Sequence, residues 1–261
     1  MAMNDDTPAG GSSQATERAG QSSRLNRVRI RPSGNPPEEA RAFYGRRKGK
    51  TLRPLQASLV ERLLPGLSID PTTLPPDPRR LFATPVAKLR LEIGFGGGEH
   101  LVAEAMRERD LGFLGCEPFI NGVARAVQSI AESDLDNIRI YPGEAGPLVD
   151  ALPDACLAGV DVLYPDPWPK WRHRKRRLVS ETMLIRLARV MQPGAELHFA
   201  TDIDDYAGWV LARVSRSSEF AWTAQRAQNW REPWSGWTQT RYEAKARREG
   251  RDSAYLTFVR R

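Results

Sequence analysis

The chain has 261 residues, 40% hydrophobic and 27% charged, which is enough to bury a core and fits one α/β domain with extensions. No apolar run approaches the about 18 residues of a membrane-spanning helix, so no transmembrane segment is expected. Thirty-nine basic residues against 32 acidic residues give a net charge of +7, which favours a polyanionic partner, nucleic acid before an anionic membrane surface.

The cysteines and the N-terminus indicate a compartment. Cys116 and Cys156 are the only cysteines and form no C-x-x-C pair, which is typical of small buried side chains in a reducing environment. The first twenty residues lack the basic start and the apolar stretch of a signal peptide. We therefore expect a cytoplasmic protein that has no membrane partner.

Apolar periodicity is almost absent from the first 38 residues. Residues 1–38 are rich in Gly, Ser, Pro and charge, and we predict a disordered tail. The basic segments "RLNRVRIRP" and "RAFYGRRKGK" leave two readings, a solubilising tail or an arm that contacts nucleic-acid phosphates. Residues 39–87 are predicted to form an extension whose segment 58–69 has helical spacing and covers one edge of a sheet.

From Lys88 onward, strands alternate with helices of about 10 to 15 residues, which predicts βαβ units and a parallel sheet covered on both faces. Strands are predicted over 88–94, 111–118, 137–143, 159–166 and 195–202, and helices over 99–109, 120–132, 145–152, 180–192 and 204–217. Two further strands, 220–226 and 253–261, have no predicted helix between them and indicate an antiparallel edge pair. The expected fold is α/β, with seven strands.

A glycine-rich loop follows the first strand, in "LEIGFGGGEH". Gly94 and Gly96 allow close approach of a ligand and positive φ angles, although such a loop is also common in ordinary tight turns. The pattern differs from G-x-G-x-x-G, and Glu99 at the start of the next helix is a poor neighbour for a pyrophosphate. A ligand with a positive sulfonium fits this acidic loop better.

Acidic residues also follow the first three predicted strands. Glu92 precedes the glycine loop, Glu117 ends the second strand, and Glu144-Ala145 follow the third. In an open parallel sheet these ends meet the ligand, where an acid accepts hydrogen bonds from ribose hydroxyls or from an adenine amino group. Three such acids favour an S-adenosylmethionine site over an NAD site.

The fourth predicted strand ends in "YPDPWPKWRHRKRR". Pro165 and Pro167 stiffen the backbone around Asp166, and Trp168 and Trp171 offer flat faces on which a base can stack. The alternatives are a catalytic carboxylate beside a polyanion site, or a proline turn followed by a solvated charge run. Six cations within eight residues favour RNA phosphates as partners, and they are Lys170, Arg172, Arg174, Lys175, Arg176 and Arg177.

The chain resembles the tRNA (guanine-N7)-methyltransferase family in five motifs that occur in the family's order. They are "LEIGFGGGEH", "GCEP", "YPDPWPKWRHRKRR", "FATD" and "TRYE". The resemblance covers about residues 46–261, and the acid-proline-tryptophan turn with its basic run is the most specific element. It implies a Rossmann-like class I methyltransferase domain over 88–261, S-adenosylmethionine as the methyl donor, and the variable-loop guanine at tRNA position 46 as the substrate.

The resemblance also implies roles for individual residues. Cofactor contacts are implied at Glu92, Glu117, Glu144 and Asp166, and Asp166 is also the implied catalytic residue. Substrate contacts are implied at Lys170, Asp202, Thr240, Arg241, Tyr242 and Glu243. Two positions depart from the family pattern, since Glu144 replaces Asp or Asn, and T-R-Y-E replaces T-K-F-E.

The chemistry agrees with these roles. Guanine N7 has an exposed lone pair and no proton to remove, so in-line attack on a sulfonium methyl needs alignment more than a base. The methylated ring becomes cationic, and we expect Asp166 to orient the base and to stabilise the developing charge. Asp202 is expected to accept hydrogen bonds from the Watson–Crick edge, and Arg247, Arg248 and Arg251 are further candidates for phosphate contact.

Two other functions remain open from the sequence. A methyltransferase that modifies exocyclic amines uses a related acid-proline-proline-aromatic motif, and a binding module with a degenerate cofactor pocket would keep only the basic surface. His100, His173 and His198 have no metal-site spacing and are expected to be structural or to face phosphates. Trp230, Trp234 and Trp237 form either a lid or, as we favour, a packed loop, and the residues do not decide between monomer and homodimer.

Overall fold

The computed structural model describes Gly45 and residues 47–261, and these residues belong to one compact unit. The predicted tail over 1–38 and half of the basic segment over 41–50 lie outside the described residues.

One seven-stranded sheet organises the protein, in the order β3-β2-β1-β4-β5-β7-β6. Its strands are β1 (Lys88–Ile93), β2 (Leu111–Cys116), β3 (Ile138–Tyr141), β4 (Leu157–Leu163), β5 (Met191–Thr201), β6 (Phe220–Trp222) and β7 (Ala254–Arg260). Strands β1 to β5 pair in parallel, and β7 is antiparallel to both β5 and β6. The mostly parallel α/β sheet with an antiparallel edge pair is therefore confirmed.

Helices cover both faces of this sheet. They are α1 (Pro54–Leu67), α2 (Glu99–Arg107), α3 (Ile120–Glu132), α4 (Ala145–Ala151), α5 (Glu181–Val190), α6 (Asp204–Val214), α7 (Gln228–Arg231) and α8 (Arg241–Arg248). Phe113 belongs to an apolar cluster with side chains of α1, α2 and α3, whereas its neighbour Leu114 belongs to a second cluster with side chains of α4, α5 and α6. Successive residues of a strand point to opposite faces, so the two helix layers enclose the sheet.

The predicted covering helix packs at the β3 edge. In α1, Leu59 joins the same apolar cluster as Ile140 of β3 and the side chains of α3. Just after the helix, the backbone N–H of Ile69 donates to the carbonyl of Ile140 at 2.8 Å. The extension therefore protects an edge strand that would otherwise expose unpaired backbone groups.

Two boundary predictions were wrong. Pro193-Gly194 does not close a helix, because α5 ends at Val190 and β5 begins at Met191 and continues through both residues. Between β6 and β7 the chain forms α7 and α8, where the sequence pattern predicted no helix. The side chain of Thr240 accepts a hydrogen bond from the backbone N–H of Glu243, which caps the start of α8.

Candidate active site

The candidate site lies where the strand order reverses, between β1 and β4. These two strands are hydrogen-bonded neighbours, and the chain continues from β1 towards β2 but from β4 towards β5. Such a switch point leaves a crevice beyond the carboxyl ends of the strands, where open α/β sheets bind ligands. The glycine-rich loop follows β1 here, and the Asp166 turn follows β4.

The glycine-rich loop has the backbone that its sequence predicts. Gly94 and Gly96 have φ angles of +76° and +58°, a region that side chains with a Cβ rarely adopt. No heavy atom lies within 4 Å of the position that a Cβ on Gly94 would take, so this side of the loop is open. At Gly122 of α3, by contrast, a Cβ would lie 2.2 Å from the Gly96 carbonyl oxygen, so the loop packs tightly on α3.

Glu117 fixes this loop to the end of β2. One carboxylate oxygen accepts the backbone N–H of Gly96 at 2.8 Å, and the other accepts that of Phe119 at 2.8 Å. Burial raises the pKa of Glu117, and these two hydrogen bonds oppose the shift. A carboxylate oxygen can accept more than one hydrogen bond, so Glu117 keeps acceptor capacity for a ligand.

Glu144 and Ala145 lie at the start of α4, beside the N-terminal extension. The Glu144 carboxylate pairs with Arg47, with 2.6 Å between Nη2 and Oε1. The backbone around Lys50 is held next to this pair by Asn121, whose amide nitrogen donates to the Lys50 carbonyl at 2.6 Å. The extension therefore forms one wall near the end of β3.

Glu92 is buried at the end of β1 and is already paired. Its Oε2 lies 2.9 Å from Nδ1 of His100, a residue of α2. Burial alone lowers the pKa of His100, but the Glu92 carboxylate more than offsets this, and the pKa rises to about 9. Burial raises the pKa of Glu92. His100 therefore serves as the buried partner of Glu92, which agrees with the structural alternative of the two roles expected for it.

Asp166 differs from the other acids because its carboxylate is exposed in the crevice. Among the described residues, no hydrogen bond or ion pair involves it, although it lies close enough to Glu117 for the two carboxylates to repel each other. Desolvation by the surrounding protein raises the pKa of Asp166. Tyr164 and Trp168 flank the turn with φ angles of +50° and +42°, which is strained backbone at the point where the acid is presented.

The basic run after this turn divides into surface and buried cations. Lys170, Arg172 and Lys175 are exposed. Arg177 departs from the predicted phosphate contact, because its side chain has no exposed surface. Its Nε donates to the Pro167 carbonyl at 2.8 Å, and its guanidinium also pairs with Asp205 of α6.

Arg174 shares this internal role. It lies in the short 3₁₀ helix Trp171–Arg176 and donates to the other carboxylate oxygen of Asp205 at 2.6 Å. Arg177 also lies over the rings of Tyr206 and Trp209, at 4.8 and 5.0 Å from their centroids. These cations hold the 3₁₀ helix and the Asp166 turn against α6.

The T-R-Y-E segment comes from far along the chain and lies over the glycine-rich loop. A Cβ on Gly96 would meet the Arg241 guanidinium at 3.1 Å and the Tyr242 ring at 3.3 Å. Tyr242 is 45% exposed and accepts a hydrogen bond from Arg241 through its hydroxyl at 3.0 Å. The segment therefore joins the implied substrate contacts to the loop implied to bind the cofactor.

Glu243 of the same segment is fully buried and serves as an anchor. Its Oε2 accepts the indole N–H of Trp237 at 2.6 Å. Its Oε1 accepts from the hydroxyl of Tyr255 at 2.8 Å and from Arg247 at 2.6 Å. With three donors on its carboxylate, Glu243 ties α8 to β7 and to the loop that carries Trp230, Trp234 and Trp237 (the tryptophan loop), while the Arg247 side chain stays mostly exposed.

The tryptophan loop packs over a row of polar residues, of which sequence reasoning singled out Glu92 and His198 and missed Asp161 and Thr257. Glu92, Asp161, His198 and Thr257 pair in register across β1, β4, β5 and β7, so they share one face. Trp237 lies 5.0 Å from the His100 ring, and Trp234 stacks on His198 at 4.3 Å. The signal for the two missed residues was a polar side chain inside the predicted strands 159–166 and 253–261.

The centre of this row is a tight charge cluster. Oδ1 of Asp161 accepts a hydrogen bond from Nη2 of Arg90 at 2.9 Å and lies 3.0 Å from Nδ1 of His198. Burial alone would raise the pKa of Asp161, but Arg90 and His198 hold it well below its usual range. The cluster and its tryptophan cover support the packed-loop interpretation of the tryptophans.

Asp202 follows β5 and is mostly buried. Its carboxylate accepts Nε of Arg251 at 2.7 Å, and Arg251 also pairs with Glu249. Asp202 was expected to contact the guanine edge and Arg251 to contact a phosphate, and in this structure the two side chains bind each other.

Across Gly45 and residues 47–261, no group of three or more His, Cys, Asp or Glu side chains is placed to hold a metal ion. Within the same residues, none of the helices combines the length and apolar character that crossing a bilayer requires.

Known proteins similar in sequence to this chain are methyltransferases. A family model described as a putative methyltransferase matches residues 86–256. A tRNA (guanine-N(7)-)-methyltransferase of Nitrobacter hamburgensis is 52% identical over 220 residues, 84% of this chain and 86% of that protein. One of Brucella melitensis is 51% identical over 228 residues, 87% of this chain and 98% of that protein.

A solved structure resembles the fold. The 16S rRNA methyltransferase KamB matches with a TM-score of 0.50 and 16% identity, over 67% of this chain and 89% of that one. At this identity the likeness concerns the fold alone.

Proposed function

This chain belongs to the tRNA (guanine-N(7)-)-methyltransferase family, and from that premise we propose that it transfers the methyl group of S-adenosylmethionine to N7 of a guanine in tRNA. The target is the variable-loop guanine at position 46, and the product is N7-methylguanosine. A tRNA substrate also implies action in the cytoplasm.

The observation that carries the proposal is the arrangement at the switch point of the sheet. An exposed carboxylate, Asp166, follows β4 on a strained turn, and the glycine-rich loop after the adjacent β1 is open beside Gly94. Family members about 50% identical over most of the chain are tRNA (guanine-N(7)-)-methyltransferases, so the chemistry of the site and the kinship agree.

The residues at this crevice fit the methyl donor. When bound, S-adenosylmethionine supplies a methyl group on a positively charged sulfonium. In this proposal Glu117, which keeps acceptor capacity on both oxygens, accepts the ribose hydroxyls, and Glu144 and Ala145 contact the adenine. Gly94 and Gly96 let the backbone approach the ligand, and the acids supply a negative field that suits a cation.

Asp166 is the proposed catalytic residue. Guanine N7 attacks through a lone pair and loses no proton, so alignment of the base supplies most of the rate. The ring becomes cationic as the bond forms, and a carboxylate with no partner of its own among the described residues stabilises that charge. The stiff turn holds the carboxylate in place, so little reorganisation is needed during the reaction.

Other residues are proposed to hold the tRNA. Lys170, Arg172 and Lys175 extend from the Asp166 turn as exposed cations suited to phosphates, and Arg174 and Arg176 lie beside them. Arg241 and Tyr242 lie over the glycine loop, and the buried side chain of Thr240 caps the helix that carries them. Asp202 accepts the N1–H and N2–H₂ donors of guanine if Arg251, its present partner, moves to a phosphate.

The direct test is to incubate the protein with an unmodified tRNA transcript and labelled S-adenosylmethionine and then to analyse the nucleosides. We expect N7-methylguanosine at position 46, and loss of label when that guanine is replaced by adenine. A methyl group on an exocyclic amine would instead indicate the amino-methyltransferase alternative, and no transfer with intact RNA binding would indicate a binding module.

The role of Asp166 is tested by Asp166→Asn and Asp166→Ala in single-turnover reactions. We expect the rate to fall about 10²-fold or more, because the group that stabilises the developing charge is lost. Asp154→Asn is the matched control, since Asp154 precedes the opposite end of β4. Near-normal rates in both Asp166 variants would refute the catalytic role.

A further inference from the structure

Trp171 is the most exposed large hydrophobic side chain among the described residues. It is 80% exposed at the start of the 3₁₀ helix Trp171–Arg176, five residues after Asp166. An indole left in water forgoes the free energy of burial, and this ring stands beside the proposed catalytic residue.

The support beneath this ring is fixed. The Arg174 guanidinium lies 4.9 Å from the Trp171 ring centroid and is held by Asp205 of α6 at 2.6 Å. Arg177 binds the same aspartate and the Pro167 carbonyl, so both ends of the short helix are tied to α6. At 80% exposure, the ring keeps an open face, and its position costs little ordering when a ligand binds.

The neighbouring tryptophan is in a different environment. Trp168 is partly buried, with the Arg176 guanidinium 4.9 Å from its ring centroid and His173 edge-on at 6.0 Å. The sequence offers both tryptophans as stacking faces, but the structure gives them different environments. Trp168 packs within the turn, and Trp171 is presented outward.

The charge around Trp171 identifies the partner. Lys170, Arg172 and Lys175 are exposed on the same short segment, and no acid occurs between Lys170 and Arg177. A π face surrounded by cations suits an unpaired nucleobase whose flanking phosphates are anionic. An apolar protein surface would instead leave these cations without partners.

We propose that the open face of Trp171 stacks on an unpaired nucleobase of the tRNA next to the guanine that is methylated. The inference rests on the proposed function and deepens it, because it names a base contact that phosphate binding alone does not supply. Stacking tolerates any base, so Trp171 contributes affinity and placement of the loop and not recognition of sequence.

The experiment measures binding of an unmodified tRNA transcript by fluorescence anisotropy at several salt concentrations. Trp171→Ala is expected to weaken binding about 5- to 30-fold without changing the slope of log K against log[salt], and Trp171→Phe is expected to retain most of the affinity. Arg172→Ala is expected to reduce the slope by about 0.7 to 0.9, the loss of one phosphate contact.

Trp222→Ala is the matched control, because Trp222 is 43% exposed on the edge strand β6. It is expected to bind as the wild type does, and thermal midpoints confirm that every variant is folded. The stacking inference alone would be overturned if the wild type binds tRNA and Trp171→Ala binds with the same affinity. It would also be overturned if Trp171→Ala reduces the salt slope as much as Arg172→Ala does. Wild-type protein that binds no tRNA would overturn the proposed function and the inference together.

Discussion

The substitution Glu243→Gln separates an anchoring role for this residue from a direct substrate contact. Glu243 is fully buried, and its carboxylate accepts from Trp237, Tyr255 and Arg247 at 2.6 to 2.8 Å. A glutamine keeps one oxygen, which can still accept from Tyr255 and Arg247. Its amide group then faces the indole N–H of Trp237, donor against donor.

The cost follows from these contacts. Losing a charge-assisted hydrogen bond and leaving a donor unpaired lowers the free energy of unfolding by about 2–4 kcal/mol. For a folded unit of this size, that corresponds to a fall of roughly 4–16 °C in the thermal midpoint. Arg241 and Tyr242 are on the same helix as Glu243 and lie over Gly96 of the glycine-rich loop. Because a weaker anchor lets this helix shift, KM for the methyl donor is also expected to rise.

Thermal and urea denaturation measure the stability, and Glu249→Gln at the exposed end of α8 is the control, with little change expected. In a Trp237→Phe background, the donor is gone and Glu243→Gln should cost less. Unchanged stability in Glu243→Gln, or equal costs in both backgrounds, would refute the anchor. A higher KM for tRNA with wild-type stability would support direct substrate contact instead.

Other consequences of the structure can be checked in the same assays. The raised pKa of His100, about 9, gives folding a contribution that is complete below about pH 6.5 and is lost as the pH rises through 9. Urea titrations should therefore show stability falling over that interval in the wild type and less so in His100→Gln, and equal slopes would contradict the ion pair. Gly122→Ala should lower the thermal midpoint because its methyl group meets the glycine-loop carbonyl at 2.2 Å, whereas Gly208→Ala, in open space on α6, should not; equal midpoints would count against the tight loop packing. Arg177→Ala should lower the thermal midpoint and Arg172→Ala should not, since only the Arg177 side chain is buried. A larger fall in Arg172→Ala than in Arg177→Ala would contradict the buried position of Arg177.

Much of the fold was predictable because its signals are local. A parallel strand buried on both faces is a short apolar run, and each helix between such runs must carry an apolar stripe. The helix predicted over 120–132 has those bounds in the structure. Glu117 and Asp166 could be placed at strand ends for the same reason, since a strand ends where its apolar run meets a turn.

The boundary at Met191 was decided by tertiary pairing. Helical spacing continues to Gln192, and proline and glycine supply the usual stop signal. In the fold, Met191 pairs with Leu157 of β4, so the chain enters the sheet directly after Val190. The pairing partner lies 34 residues earlier in the chain, outside any local window of sequence, and its hydrogen bonds override the local helical preference.

The sequence by itself determined the family, the α/β order and the motif that presents Asp166, because each is carried by neighbouring residues. Only the tertiary structure decided which charged groups face the crevice and which serve inside. Arg177 turns inward because Asp205 of α6 lies beside it, and Glu243 is buried because Trp237, Tyr255 and Arg247 meet at its carboxylate. A charge is stable in the interior only where folding brings its partners together, and that meeting is a property of the packed chain.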